Sequence, residues 1–82
     1  MNEIGRLRWR CRRGMLELDL VLLGFLETSY LKLDEEGRML FAELLQEEDA
    51  DLWQWMREPQ SCPNVRWHSI LKRLYLHAMA LQ

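Results

Sequence analysis

The chain has 82 residues, 49% of them hydrophobic and 10% aromatic, with 11 Lys and Arg against 13 Asp and Glu for a formal net charge of −2. That length holds one hydrophobic core rather than two, and the apolar content excludes an intrinsically disordered chain. Charge is unevenly placed: five Arg and one Glu in residues 1–13 give +4, while six Lys or Arg and twelve Asp or Glu in residues 14–82 give −6.

A single domain over residues 1–82 is expected. The longest apolar run, Leu20 to Leu26, spans seven residues, far below the roughly 20 needed to cross a bilayer. The two cysteines, Cys11 and Cys62, form no CxxC pair, so a reducing compartment is expected rather than a disulfide-stapled secreted fold. The first thirteen residues carry charge where a secretory signal would be apolar. A bacterial cytoplasmic protein is therefore expected, ahead of one in the mitochondrial matrix, because no presequence is seen.

Taken in chain order, the pattern is helical throughout, and an all-α bundle of about five short helices is the expected fold. The arginine-rich start RLRWRCRR leads to Gly14. Residues 15–31 follow, with Leu16, Leu20 and Leu23 together with Leu18, Leu22, Phe25 and Leu26 covering more than half of a helix circumference, as a heavily buried central helix would. Asp34 is expected to cap a third helix whose buried face is Leu40, Phe41, Leu44 and Leu45. Asp49 is expected to cap a fourth, packing Leu52, Trp53 and Met56; a capping carboxylate contributes about 1 kcal/mol. PQSCPN, residues 59–64, holds both prolines and reads as a loop. The spacing Trp67, Ile70, Leu71, Leu74, Ala78 and Leu81 predicts a helix over 67–81.

Groups suited to catalysis are sparse. His68 and His77 are nine apart and do not share a helix face at metal-ligand spacing. The acidic run Glu47, Glu48, Asp49 and Asp51 lacks the spaced ligands and glycine turn of a calcium loop. Gly5, Gly14, Gly24 and Gly37 form no phosphate-binding loop. No catalytic residue, no metal site and no stably bound cofactor are expected.

The stretch RWRCRRGMLELDL, residues 8–20, holds the one concentrated charge pattern, and three readings of it stand. It is a helix boundary, with Gly14 as N-cap and Glu17 and Asp19 favouring the positive end of the helix dipole by about 0.3–1 kcal/mol. It is a nucleic-acid arm, whose arginines neutralise phosphates; Glu17 and Asp19 oppose this. Or it is a protein-docking surface, with Gly14 admitting a partner's backbone and Arg13 and Glu17 presenting donor and acceptor one turn apart.

The same residues resemble the FAD assembly factor family of succinate dehydrogenase and fumarate reductase, the SdhE family. Its RGxxE motif is matched by Arg13, Gly14 and Glu17. The similarity continues through Tyr30, the stretch Arg38-Met39-Leu40-Phe41-Ala42-Glu43-Leu44-Leu45, and Asp49-Ala50-Asp51-Leu52-Trp53-Gln54-Trp55, over roughly residues 7–57. Gly37 and Ala50 depart from residues common there, an acid or amide and a helix-starting proline. The resemblance implies a five-helix, non-enzymatic accessory protein that binds the flavoprotein subunit and promotes covalent attachment of FAD to it. It implies a docking centre at Arg13, Gly14 and Glu17, supported by Met15, Leu18 and Asp19 and flanked by Arg8, Trp9 and Arg12. A monomer with no nucleic-acid partner and no membrane insertion is expected; a small helical regulatory protein binding nucleic acid through its arginines is the alternative.

Overall fold

The computed structural model describes residues 2–81; residues 1 and 82 of the expected domain lie outside them. Five α-helices form it: α1 (Glu3–Arg10), α2 (Leu16–Thr28), α3 (Glu35–Leu44), α4 (Asp49–Arg57) and α5 (His68–Ala80), with short 3-10 turns at Tyr30–Lys32, Pro59–Ser61 and Val65–Trp67. No strand occurs among the described residues. The all-α bundle of about five short helices is as the sequence predicts.

The boundaries follow from local chemistry. The Asn2 side chain accepts from Gly5 N–H at 2.7 Å and starts α1. Asp34 accepts from Gly37 N–H at 2.8 Å and starts α3, the cap expected of it. Gly37 also suits the close packing there, since a Cβ would lie 3.2 Å from that of Leu33. The second helix stops at Thr28, earlier than residue 31, and the chain tightens into the Tyr30–Lys32 turn. The proline segment contains one 3-10 turn of its own at Pro59–Ser61. Trp67 lies in the turn preceding α5 rather than within it.

The core is a single cluster to which every helix contributes, including Leu7 of α1, Leu22 of α2, Phe41 of α3, Leu52 of α4 and Leu71 of α5. Phe41 lies 5.5 Å from Phe25 and 5.8 Å from Tyr30 between ring centroids, a tilted aromatic trio at its centre. The Tyr30 hydroxyl donates to Glu3 at 2.6 Å and ties α1 to the end of α2. Trp67 donates its indole N–H to Glu43 at 3.0 Å and ties the turn before α5 to α3.

Periodicity overstates burial at two places. Leu16 and Leu20 of α2 are 72% and 57% exposed, because no helix covers that flank of the first two turns. Leu81, expected on the buried stripe, is also exposed, beyond the last turn of α5.

Candidate partner-docking site

The arginine-rich stretch folds as the end of α1, a short turn and the start of α2. Cys11 follows the last residue of α1 and donates its N–H to Leu7 at 2.9 Å. Its side chain is fully buried, and that burial, outweighing the nearby Arg13 charge, pushes the thiol up to about 12. Gly14 then takes φ +89°, the left-handed region where glycine alone carries no Cβ penalty. The residue at the N-cap of α2 is therefore Met15, not Gly14, and its side chain makes no capping bond.

Asp19 supplies what the cap lacks. From the first turn of α2 its carboxylate accepts from the N–H of Arg13 at 2.7 Å and of Gly14 at 3.3 Å. Two backbone donors that would otherwise face a bend are satisfied by one acid, and the turn is held from the α2 side.

Arg13 holds it from the other. Its side chain, 13% exposed, reaches the α3–α4 junction, where Nε donates to Asp49 at 2.6 Å. Its Nη1 donates to the carbonyl of Leu45 and, at 3.4 Å, to that of Arg10; Nη2 donates to the carbonyl of Glu47. The guanidinium thus satisfies carbonyls at the end of α3 that no intrahelical N–H can reach. Two expectations are corrected here. Asp49 is the first residue of α4 and pairs with Arg13, while the N-cap Glu48 makes no side-chain capping bond. Arg13 stands in the turn before α2 and is engaged internally, not displayed one helical turn from Glu17.

Leu18 is 0% exposed and packs in the core, so its side chain cannot meet a partner in the folded chain. Met15 is half-buried against the same core. Arg8 pairs with Glu27 at 3.1 Å on the surface. Trp9 is 70% exposed, and Arg12, Gly14 and Glu17 face solvent. The Glu17 carboxylate makes no hydrogen bond or ion pair among the described residues, and it stands in the first turn of α2, where the helix dipole favours an acid. Around it lie Leu16 and Leu20, which the sequence reading missed because an apolar arc does not reveal which part of it lacks a neighbour.

The two histidines serve packing. His68 Nε2 lies 2.7 Å from the carbonyl of Cys62, and His77 stands edge-on to Phe25 at 5.8 Å between centroids. Among the described residues no group of three His, Cys, Asp or Glu side chains could hold a metal ion, and no helix is long and apolar enough to cross a membrane.

The family model described as flavinator of succinate dehydrogenase matches residues 5–78. A protein of Shewanella oneidensis named FAD assembly factor SdhE is 44% identical over 64 residues, 78% of each chain. One of that name from Vibrio vulnificus is 37% identical over 79 residues, 96% of this chain and 92% of the relative. Another from Idiomarina loihiensis is 46% identical over 62 residues, 76% and 69% of the two. No solved structure matches the chain. With the family model reaching from α1 into α5 and relatives of one name agreeing over most of its length, the chain belongs to the succinate dehydrogenase flavinator family.

Proposed function

We propose that this protein is an assembly factor that docks onto the flavoprotein subunit of succinate dehydrogenase or fumarate reductase and promotes covalent attachment of FAD to it. The observation that carries the reading is the state of Glu17: an exposed carboxylate with no internal partner, beside a turn locked by Arg13 and Asp19, in a chain of the flavinator family. A charge held ready on a rigid frame loses little freedom on binding, which favours affinity.

On this reading Gly14 and Glu17 touch the partner, with Arg12, Trp9 and Arg8 at the edge. Arg13, Met15, Leu18 and Asp19 act from beneath, fixing the surface rather than forming it. The protein is a cytoplasmic monomer and not an enzyme. It holds the subunit in the arrangement where flavin and acceptor react, which requires tighter binding to that arrangement than to others. The reactive chemistry belongs to flavin and subunit. On this reading FAD is held by the subunit rather than bound stably here, in keeping with four glycines that lie in different helices and one turn. A nucleic-acid role is disfavoured because Arg13 is buried in the turn and Arg8 is paired, leaving Arg6, Arg10 and Arg12 for phosphates.

The test is capture of the flavoprotein subunit by wild type and Glu17→Ala, with covalent flavin read by in-gel fluorescence. Wild type is expected to capture the subunit and raise covalent flavin, and Glu17→Ala to do neither while melting as wild type does. Unchanged flavinylation with no capture by either protein refutes the proposal.

A further inference from the structure

Beside Glu17 the surface opens into a groove of about 450 Å³ between three helices. Its walls are Leu20 and Val21 of α2, Trp53 and Met56 of α4, and Ala78 and Met79 of α5. Glu17 stands on its edge and Arg57 also lines it, the guanidinium 5.7 Å from the Trp53 ring centroid. Leu20, Met79 and Leu81 are each about half exposed, at 57%, 48% and 57%, and Leu16 extends the apolar surface one turn further along α2. A small domain that leaves bulky apolar side chains in water around a concave site carries the mark of a binding surface.

Two features say what fits. The walls call for aliphatic or aromatic side chains, and the two charged members are one acid and one base. An occupant therefore needs an apolar face with a cation where it meets Glu17 and an anion where it meets Arg57. A protein segment carries that mixture. An anionic lipid surface does not, since Glu17 would repel it. The groove also shares Glu17 with the docking surface, so one partner can cover both without a gap.

Resting on the proposed function, we infer that this groove seats an apolar segment of the flavoprotein subunit that bears a Lys or Arg paired with Glu17, in the manner of a helix or strand laid into a helical groove. Glu17 is then a charge on the edge of a hydrophobic site, where exclusion of water strengthens the pair.

The test uses the full chain as wild type, Glu17→Ala, Leu20→Lys and Met79→Lys, with calorimetric binding to the purified flavoprotein subunit and sedimentation of each chain alone. Leu20 and Met79 lie on different helices and are well exposed, so both lysine variants are expected to melt as wild type does and to bind about tenfold more weakly or worse. If they bind as wild type does while Glu17→Ala fails, the docking reading stands and the groove inference falls. If wild type does not bind the subunit, both fall. If the chain dimerises and the lysine variants abolish the dimer, the occupant is a second copy and the inference is overturned. A second measurement is independent of affinity: Met79→Cys carrying a benzophenone is expected to photo-crosslink to the subunit, the native Cys11 and Cys62 being 0% and 3% exposed and shielded from labelling. Absence of that adduct from a complex that forms overturns the inference as well.

Discussion

Replacing Arg13 with alanine separates a frame residue from a contact residue. The side chain is 13% exposed and donates to the Asp49 carboxylate and to the carbonyls of Leu45, Glu47 and Arg10. A hydrogen bond to a charged group contributes about 1.5–3 kcal/mol, and an acceptor left without its donor costs about 1–3 kcal/mol when buried. Asp49 is 42% exposed and rehydrates readily, so the loss falls mainly on the carbonyls at the end of α3. We expect Arg13→Ala to cost about 2–4 kcal/mol. That is a large share of the roughly 4–12 kcal/mol that holds together a domain of this size. Urea unfolding followed by far-ultraviolet circular dichroism would show a midpoint lower by about 1–4 M, taking a slope of about 1–2 kcal/mol per M. Arg13→Lys should recover less than half, because a single ammonium cannot reach carboxylate and carbonyls together. A loss within about 0.5 kcal/mol, the range of an ordinary surface change, with docking abolished, would refute this assignment and return Arg13 to the interface.

Gly14→Ala is expected to cost about 1–2 kcal/mol from its φ of +89° alone, since a Cβ there meets nothing within 4 Å; a melting temperature equal to wild type would show that the turn relaxes freely. Gly24→Ala places a Cβ 2.8 Å from His77 Nε2 and should destabilise by about 1–3 kcal/mol despite the better helix propensity of alanine, with His77→Ala restoring part of it in a double-mutant cycle; additive losses would refute the clash. The Cys11 thiol, raised from 9.0 to about 12 by burial, contributes stability that is complete below pH 9 and is lost as pH rises toward 12. Thermal melts of wild type should therefore fall more steeply than those of Cys11→Ala across that window, and parallel curves would contradict it.

What the sequence disclosed was what neighbours in sequence decide. Asp34 reads as a cap because its acceptor and the Gly37 N–H are three residues apart. Asp49 has the same look, an acid before an apolar helix, yet its partner is Arg13, 36 positions away, and no spacing rule reports that. The α2 residues Leu18, Leu22 and Phe25 fall on the core at helical spacing, but the same arithmetic placed Leu16 and Leu20 inside. Period identifies an apolar arc, while tertiary packing decides how much of it is covered. The charge pattern marked residues 8–19 as notable without dividing their labour. Asp19 and Glu17 stand two apart with equal charge, and only the fold shows one carboxylate clasping backbone while the other is left to solvent.

The bond from Arg13 to Asp49 also sets an order of events during synthesis. The turn at Arg13 and Gly14 emerges from the ribosome early, but its anchor does not exist until the α3–α4 junction has followed, seconds later at about 5–20 residues per second. Closing so long a loop carries an entropic cost that only the gathered core can offset. A nascent or half-folded chain thus presents its arginines and Glu17 on a slack tether, and the ordered surface arises with the last helices. Competence to engage a client is in this way coupled to the completion of the molecule's own folding.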